Sequence, residues 1–361
     1  MVHGRRARVR TLRALHELTL RAIPLLLLGV AAGASAQDWS GASLRGAQQL
    51  ALPEGYRAEV LARGLRLPQD LAVDPSDGLW VLCRGARGRS GAGTLVRVPL
   101  NALGPIDATQ LPAVLIPFGS TTVPFEVGSV ARHPGSGDLY VSEGRGHHVY
   151  RVTTDGRVTV FATGGRALVD GRALVFDNQG QLLVLDLAGS GPIAEMTMDP
   201  LRELLETGEP YQGPVVYRLR VDEVLPLPRN LEYARSAFPP AALRRRTVVL
   251  PRYHSLASLP SGELVGGAHG VIDRLRPDGT IVRLAELTGV GAVVAGNAGV
   301  LYALDYLGGR IARVHPNGAV ESFAEGLVRP AALAVLGDGT LAVAEDTGRL
   351  LRIFLPPVTP R

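Results

Sequence analysis

The chain has 361 residues, 46% of them hydrophobic and 20% charged, a balance that excludes a disordered chain and predicts a packed core. Its 38 basic and 33 acidic residues give a net charge of +5, but six basic residues and one acid (Glu17) fall within residues 1–36, leaving 32 of each in the rest. A balanced body excludes generic nucleic-acid binding, which rests on a basic surface that neutralises phosphates.

Residues 1–36 read as a signal peptide. Arg5, Arg6, Arg8, Arg10, Arg13 and Arg21 precede an apolar stretch, 22–36, that ends in Ala34, Ser35 and Ala36. A basic segment, a short apolar segment and small residues at a cleavage site mark secretion. The stretch is shorter than the roughly 20 residues that span a bilayer. The protein is therefore expected to be exported, periplasmic or secreted, with no stable membrane anchor; the alternative is a buried N-terminal helix. Residues 37–49 read as a linker. Cys83 is the single cysteine, so no internal disulfide forms, and it is expected to be buried rather than reactive.

From residue 50 the chain repeats itself. Segments 71–81, 130–141, 174–184, 256–265, 293–303 and 333–343 each read as strand, glycine-containing turn, strand. Three of them lead into further hairpins at 149–156, 272–279 and 311–318, each turning on Asp-Gly or Asn-Gly. That dipeptide between alternating runs signals a tight hairpin. Together the two motifs make a four-stranded meander of about 40 residues, the size of a propeller blade. Six copies predict an all-β, six-bladed β-propeller over residues 50–356, with a C-terminal tail at 357–361. The last blade lacks a fourth strand after 349–354. An apolar-alternating run at 56–62 can supply it and close the ring, removing the exposed edges.

Blade 3 departs from the pattern with an insertion at about 188–246. Within it, 199–208 reads as a helix. Asp199 can cap it, Pro200 suits its first turn, Leu201, Leu204 and Leu205 share a face, and Gly208 can end it. Residues 215–221 read as the third strand. Residues 222–246 read as a long loop, or alternatively as a degenerate seventh blade.

No nucleophile elbow, phosphate loop, dinucleotide fingerprint or zinc-protease motif occurs in the sequence. Candidate chemistry comes from topology instead. In a propeller the segments entering each first strand ring one mouth of the central channel, and the loops between second and third strands reach the same face. The entry residues are Gln69, Glu126, Asp170, Arg172, His254 and Arg329. The other loops on this face are 84–93, 144–148 and the insertion at 188–213, which would sit there as a partial lid. Gln69, Glu126, Asp170 and His254 could hold a divalent metal, calcium or zinc. Asp170 and His254 could act as catalytic base, with Arg172 and Arg329 on the substrate. The plainer reading makes the carboxylates loop caps or ion-pair partners and His254 an inter-blade histidine. Asp74, Asp77, Asp155, Asp278 and Asn317 read as turn residues. Asp186, Asp305 and Asp346 read as structural closers of second strands. His147 and His148 are adjacent, so on a strand they face opposite sides.

The segment 174–186, the Arg-Pro-Asp-Gly turn at 276–279, the His-Pro-Asn-Gly turn at 315–318 and Arg329-Pro330 together resemble the six-bladed propellers of the SMP-30/gluconolactonase and NHL-repeat type. That resemblance implies a metal-dependent hydrolase or lactonase acting on a small sugar-derived or cyclic ester. Lactonases of that family draw a Glu, two Asn and an Asp from the loops before first strands. The matching positions here hold Gln69, Arg172 and His254, with Glu126 and Asp170 about two residues away. The opening at 52–60, with Gly64, Leu65 and Pro68, is similar to exported quinoprotein sugar dehydrogenases. That likeness implies pyrroloquinoline quinone, with His254 as base and Arg252 near the quinone carboxylates. A third reading is a non-catalytic propeller that binds a small-molecule ligand or a protein partner.

Overall fold

The computed structural model describes residues 50–84, 92–117, 127–143, 148–164, 171–186, 215–222, 227–230, 235–238, 251 and 253–354. The expected signal peptide, linker, helix at 199–208 and C-terminal tail lie outside the described residues.

The described chain is a six-bladed β-propeller. A strand β1 (Arg57–Arg63) comes first. Blade 1 holds β2 (Pro68–Asp74), β3 (Gly78–Cys83) and β4 (Ala92–Pro99); after β5 (Ile106–Asp107), β6 (Ala113–Pro117) is its fourth strand. Blade 2 is β7 (Val127–Arg132), β8 (Leu139–Glu143), β9 (His148–Val152) and β10 (Val158–Thr163). Blade 3 is β11 (Gly171–Phe176), β12 (Leu182–Asp186) and β13 (Val215–Leu219), completed after β14 (Arg229–Asn230) by β15 (Arg235–Phe238). Blade 4 is β16 (Ser255–Ser258), β17 (Leu264–Ala268), β18 (Val271–Leu275) and β19 (Ile281–Glu286). Blade 5 is β20 (Val290–Ala295), β21 (Leu301–Asp305), β22 (Arg310–Val314) and β23 (Val320–Glu325). Blade 6 is β24 (Pro330–Val335), β25 (Leu341–Glu345) and β26 (Leu350–Phe354), and β1 is its fourth strand, antiparallel to β26 with Arg57 opposite Phe354 and Val60 opposite Leu351.

The repeated turns have a simple cause. In the β9–β10, β18–β19 and β22–β23 hairpins, Gly156, Gly279 and Gly318 have φ of 84°, 85° and 87°, a region that glycine enters without steric cost. Each donates its N–H back three residues, to Thr153, Arg276 and His315 at 2.8 Å. Before each glycine, Asp155, Asp278 and Asn317 accept from the backbone two residues on. This is the work of turn residues.

Among the described residues of 222–246, read from sequence as a long loop or a degenerate seventh blade, are two short strands. β15 pairs with β13 as the fourth strand of blade 3. β14 runs parallel to β10 on the edge of blade 2. The flanking prolines hid them. β5 does the same for β1 on blade 6.

The core is divided among the contacts between neighbouring blades. Blade 1 meets blade 2 through Ala72, Leu82 and Leu95 against Val130, Leu139 and Val141. Similar clusters join the following blades in turn. The last, with Ala332, Ala342 and Ala344 against Leu71, Leu79 and Val81, joins blade 6 to blade 1 and completes the ring. A Val or Leu buried this way contributes about 1.5–3 kcal/mol. Cys83 is 1% exposed within that last cluster.

Candidate functional site

The first strands of the six blades, β2, β7, β11, β16, β20 and β24, line a central cavity of about 1050 Å³. Their entry is irregular in a repeated way. In β2 the pairing jumps from Pro68 to Asp70, in β11 from Gly171 to Ala173, in β20 from Val290 to Ala292 and in β24 from Pro330 to Ala332. In β7 the jump runs from Val127 to Val130. A bulge leaves one residue outside the ladder and re-aims it. The skipped residues Gln69, Gly128, Ser129, Arg172, Gly291 and Ala331 all line the cavity. Two of them, Gln69 and Arg172, bring long polar heads to its mouth.

Blade 4 keeps this entry and differs after its second strand. Gly267 pairs with Ser255 and also accepts the His254 N–H at 2.9 Å, so His254 is the residue left outside the ladder, like Gln69 and Arg172. The second strands of blades 2, 3, 5 and 6 end in buried acids, Glu143, Asp186, Asp305 and Glu345, whereas β3 of blade 1 ends in Cys83 and β17 in Ala268. Its turn to β18 is only His269 and Gly270, with Gly270 at φ 81°. The outcome is a pair of imidazoles. His254 and His269 meet edge to face with centroids 5.0 Å apart, and Tyr306, from the turn after β21, shares a hydrogen bond with His269 Nδ1 at 3.1 Å. All three line the cavity with Arg172 and Gln69.

Burial holds His254 down at about 4, helped by the positive charge of His269 and Arg172. It is therefore a neutral imidazole at neutral pH. Asp70 is pushed upward by burial, against hydrogen bonds from Ser129, Val130 and Leu71. Its carboxylate accepts from the Ser129 hydroxyl and from the Leu71 and Val130 N–H groups, both at 2.8 Å. It stitches blade 1 to blade 2. Ser129 in turn accepts from Leu174 N–H at 3.1 Å, and Ser255 from Val293 N–H at 2.7 Å. These groups serve the inner strand edges.

The structure gathers some of the sequence-derived residues and separates others. Gln69, Arg172 and His254 converge on one cavity. Gln69 donates its amide N–H to the Pro68 carbonyl at 3.2 Å. Arg329 stands on the rim with φ 49°, its guanidinium donating to Asp346 at 2.9 Å, and is no part of the cavity wall. Glu126, Asp170, Arg252 and His147 lie outside the described residues. His148 pairs with Glu143 at 3.0 Å. Among the second-strand closers, Glu345 rather than Asp346 holds the register of Asp186 and Asp305; Asp346 sits one step later, in the turn.

His269 and Tyr306 were not singled out from sequence. The turns between second and third strands were expected on this face, and both residues occupy such turns. They are short there, which gave no length signal.

The described residues include only part of the donor set expected for a metal. Among the described residues no three His, Cys, Asp or Glu side chains form a metal-binding group. The mouth offers two imidazoles and an amide, and the Asp70 carboxylate is taken up by hydrogen bonds. The expected carboxylate donors, Glu126 and Asp170, lie outside the described residues.

No family model matches the chain, and no curated protein sequence matches it. Solved structures share its fold. A gluconolactonase from Xanthomonas campestris is 14% identical, with a TM-score of 0.55, covering 84% of this chain and 91% of that one. A catalytically inactive variant of virginiamycin B lyase from Staphylococcus aureus, with quinupristin, is 10% identical at TM-score 0.51, covering 83% and 99%. An oxidoreductase from Thermus thermophilus, provisionally described as a glucose dehydrogenase, is 19% identical at TM-score 0.50, covering 83% and 100%.

Proposed function

We propose that the protein is a hydrolase that opens a small cyclic ester at the channel mouth, with His254 as general base. The observation that carries the reading is the His254–His269 pair beside Arg172, set where blade 4 replaces a four-residue turn with His269 and Gly270 alone. Such departures from a repeating pattern mark functional positions. The gluconolactonase among the similar folds supports the choice of substrate class, by analogy of fold alone.

In this reaction His254 accepts a proton from water as the water oxygen bonds to the ester carbonyl carbon. The negative charge on the carbonyl oxygen is met by the Arg172 guanidinium. The ring carbon–oxygen bond then breaks, and the departing alkoxide takes the proton back from His254, giving a hydroxy acid. His269, held by Tyr306, positions His254. Two of the four expected metal donors, Glu126 and Asp170, lie outside the described residues, and no step here runs through a metal.

The test is hydrolysis of a panel of simple lactones by the wild type and by His254→Gln. The reading predicts at least a hundredfold loss of kcat/KM with the melting temperature retained. Equal activity in the variant would overturn it. Ligand binding without turnover would favour the binding-protein reading.

A further inference from the structure

Bonded and non-bonded pairs alternate along an antiparallel ladder, so each inner strand turns alternate N–H groups away from its own blade. Just inside the mouth, these groups are met by a side chain of the preceding blade. Asp70 of blade 1 accepts from Val130 N–H at 2.8 Å, Ser129 of blade 2 from Leu174 N–H at 3.1 Å, and Ser255 of blade 4 from Val293 N–H at 2.7 Å. Three of the equivalent capping positions hold alanine, whose methyl accepts nothing. At Ala332 of blade 6 the loss is made good, because Asp70 turns its other oxygen on Leu71 N–H at 2.8 Å. Ala173 of blade 3 and Ala292 of blade 5 have no such substitute. Among the described residues no side chain accepts from the N–H of Leu256 or of Leu333.

Leu256 stands opposite Gly266, one step in from the Ser255–Gly267 pair, as Val293 stands opposite Ala303, one step in from the Ala292–Leu304 pair. Its N–H therefore points as the Val293 N–H does, away from its own blade. A buried N–H left without an acceptor costs about 1–3 kcal/mol, so a native structure rarely leaves one open without a use. The two open positions differ in their surroundings. The Leu333 gap lies between blades 5 and 6, whose bulge positions are Gly291 and Ala331. The Leu256 gap lies between β11 and β16. There Arg172 directly precedes Ala173, His254 stands two residues before Leu256, and all four residues line the cavity.

Resting on the cyclic-ester reading above, we propose that the Leu256 N–H, left open by Ala173, donates to the carbonyl oxygen of the substrate and shares with Arg172 the negative charge that develops there. A main-chain donor fixed in a strand needs no reorganisation as that charge forms. A serine at 173 would take the donor up from the preceding blade, as Ser129 and Ser255 do at their positions.

The probe is δ-valerolactam, a cyclic amide that resists hydrolysis and carries an equivalent carbonyl. Isotope labelling of serine carbonyl carbon and leucine nitrogen selects the NMR signals of Leu44, Leu256 and Leu259, the leucines that follow a serine. Leu259 is the internal reference, since its N–H already donates to Glu263 O at 2.9 Å. On lactam binding the Leu256 amide should shift and the Leu259 amide should not. Ala173→Ser should weaken lactam binding about fivefold or more and lower kcat/KM for δ-valerolactone about a hundredfold. Ala292→Ser, the same change away from the imidazoles, should match the wild type. No lactam binding, a Leu256 amide unmoved by bound lactam, or equal binding by the two variants would overturn the assignment. The first two readings come from the wild type and decide the matter even if Ala173→Ser fails to fold. A Leu256 shift without hydrolysis of δ-valerolactone overturns the reaction and keeps the donor; hydrolysis without the shift does the reverse.

Discussion

A largely buried imidazole beside a second histidine and an arginine loses its proton easily, and His254 is held at about 4 for those reasons. Two consequences follow at the scale of single residues. The acid limb of kcat/KM should fall near pH 4 rather than near the ordinary histidine value of about 6.5. His269→Ala and Arg172→Gln each remove a neighbouring positive charge, so each should move that limb to higher pH. A limb unmoved in both variants would contradict the electrostatic assignment. The second consequence concerns stability. Between about pH 6.5 and about pH 4 the unfolded chain binds a proton at this position that the folded chain refuses, so stability declines as pH falls through that window. At about 1.4 kcal/mol per unit the loss is on the order of 3 kcal/mol, and His254→Gln should flatten the slope in chemical denaturation.

At the scale of elements, the inner strands carry both the site and much of the cost of building it. Gly128 lies where a Cβ would run into the Gly171 carbonyl and Ser142 Oγ. Ser142 already accepts from Ser129 N–H at 3.0 Å and donates to Gly171 O at 2.8 Å. Gly128→Ala should therefore destabilise by about 2 kcal/mol or more, because backbone cannot move aside cheaply. Asp70→Ala strips an acceptor from two N–H groups and a hydroxyl between blades 1 and 2, a loss of about 2–4 kcal/mol. Thermal denaturation checks both, and unchanged melting would refute the inter-blade role. The same strands show what sequence can and cannot reveal. The hairpins were legible because glycine at positive φ leaves a chemical signature that recurs. Gln69, Arg172 and His254 were legible because entry to a first strand fixes where a residue goes. The bulges were not, since the alternating letters look the same with or without an extra residue. Tyr306 and His269 escaped for a related reason: a short turn writes no pattern. β15 escaped because its strand is brief and stands among prolines.

At the scale of the molecule, six sheets hold one another through shared apolar clusters, and the contact between blades 6 and 1 completes the circle. Cys83 sits in that contact with Leu61, Ala62 and Leu65, and burial pushes its thiol up to about 12. It should react with thiol reagents only when the ring opens. Ala62 is fully buried, so Ala62→Asp should disrupt the packing beside β1 and speed Cys83 labelling by more than tenfold. Labelling at the wild-type rate would mean that the first and last blades open independently of this strand. The ring matters to function because it alone brings Arg172, His254 and Tyr306, drawn from three blades, to one mouth. The account is tested most directly by the rate of lactone hydrolysis measured from about pH 3 to about pH 8 for the wild type and His254→Gln. It predicts turnover with an acid limb near 4 that vanishes in the variant; hydrolysis that survives the substitution, or a limb that stays near 6.5, would contradict it.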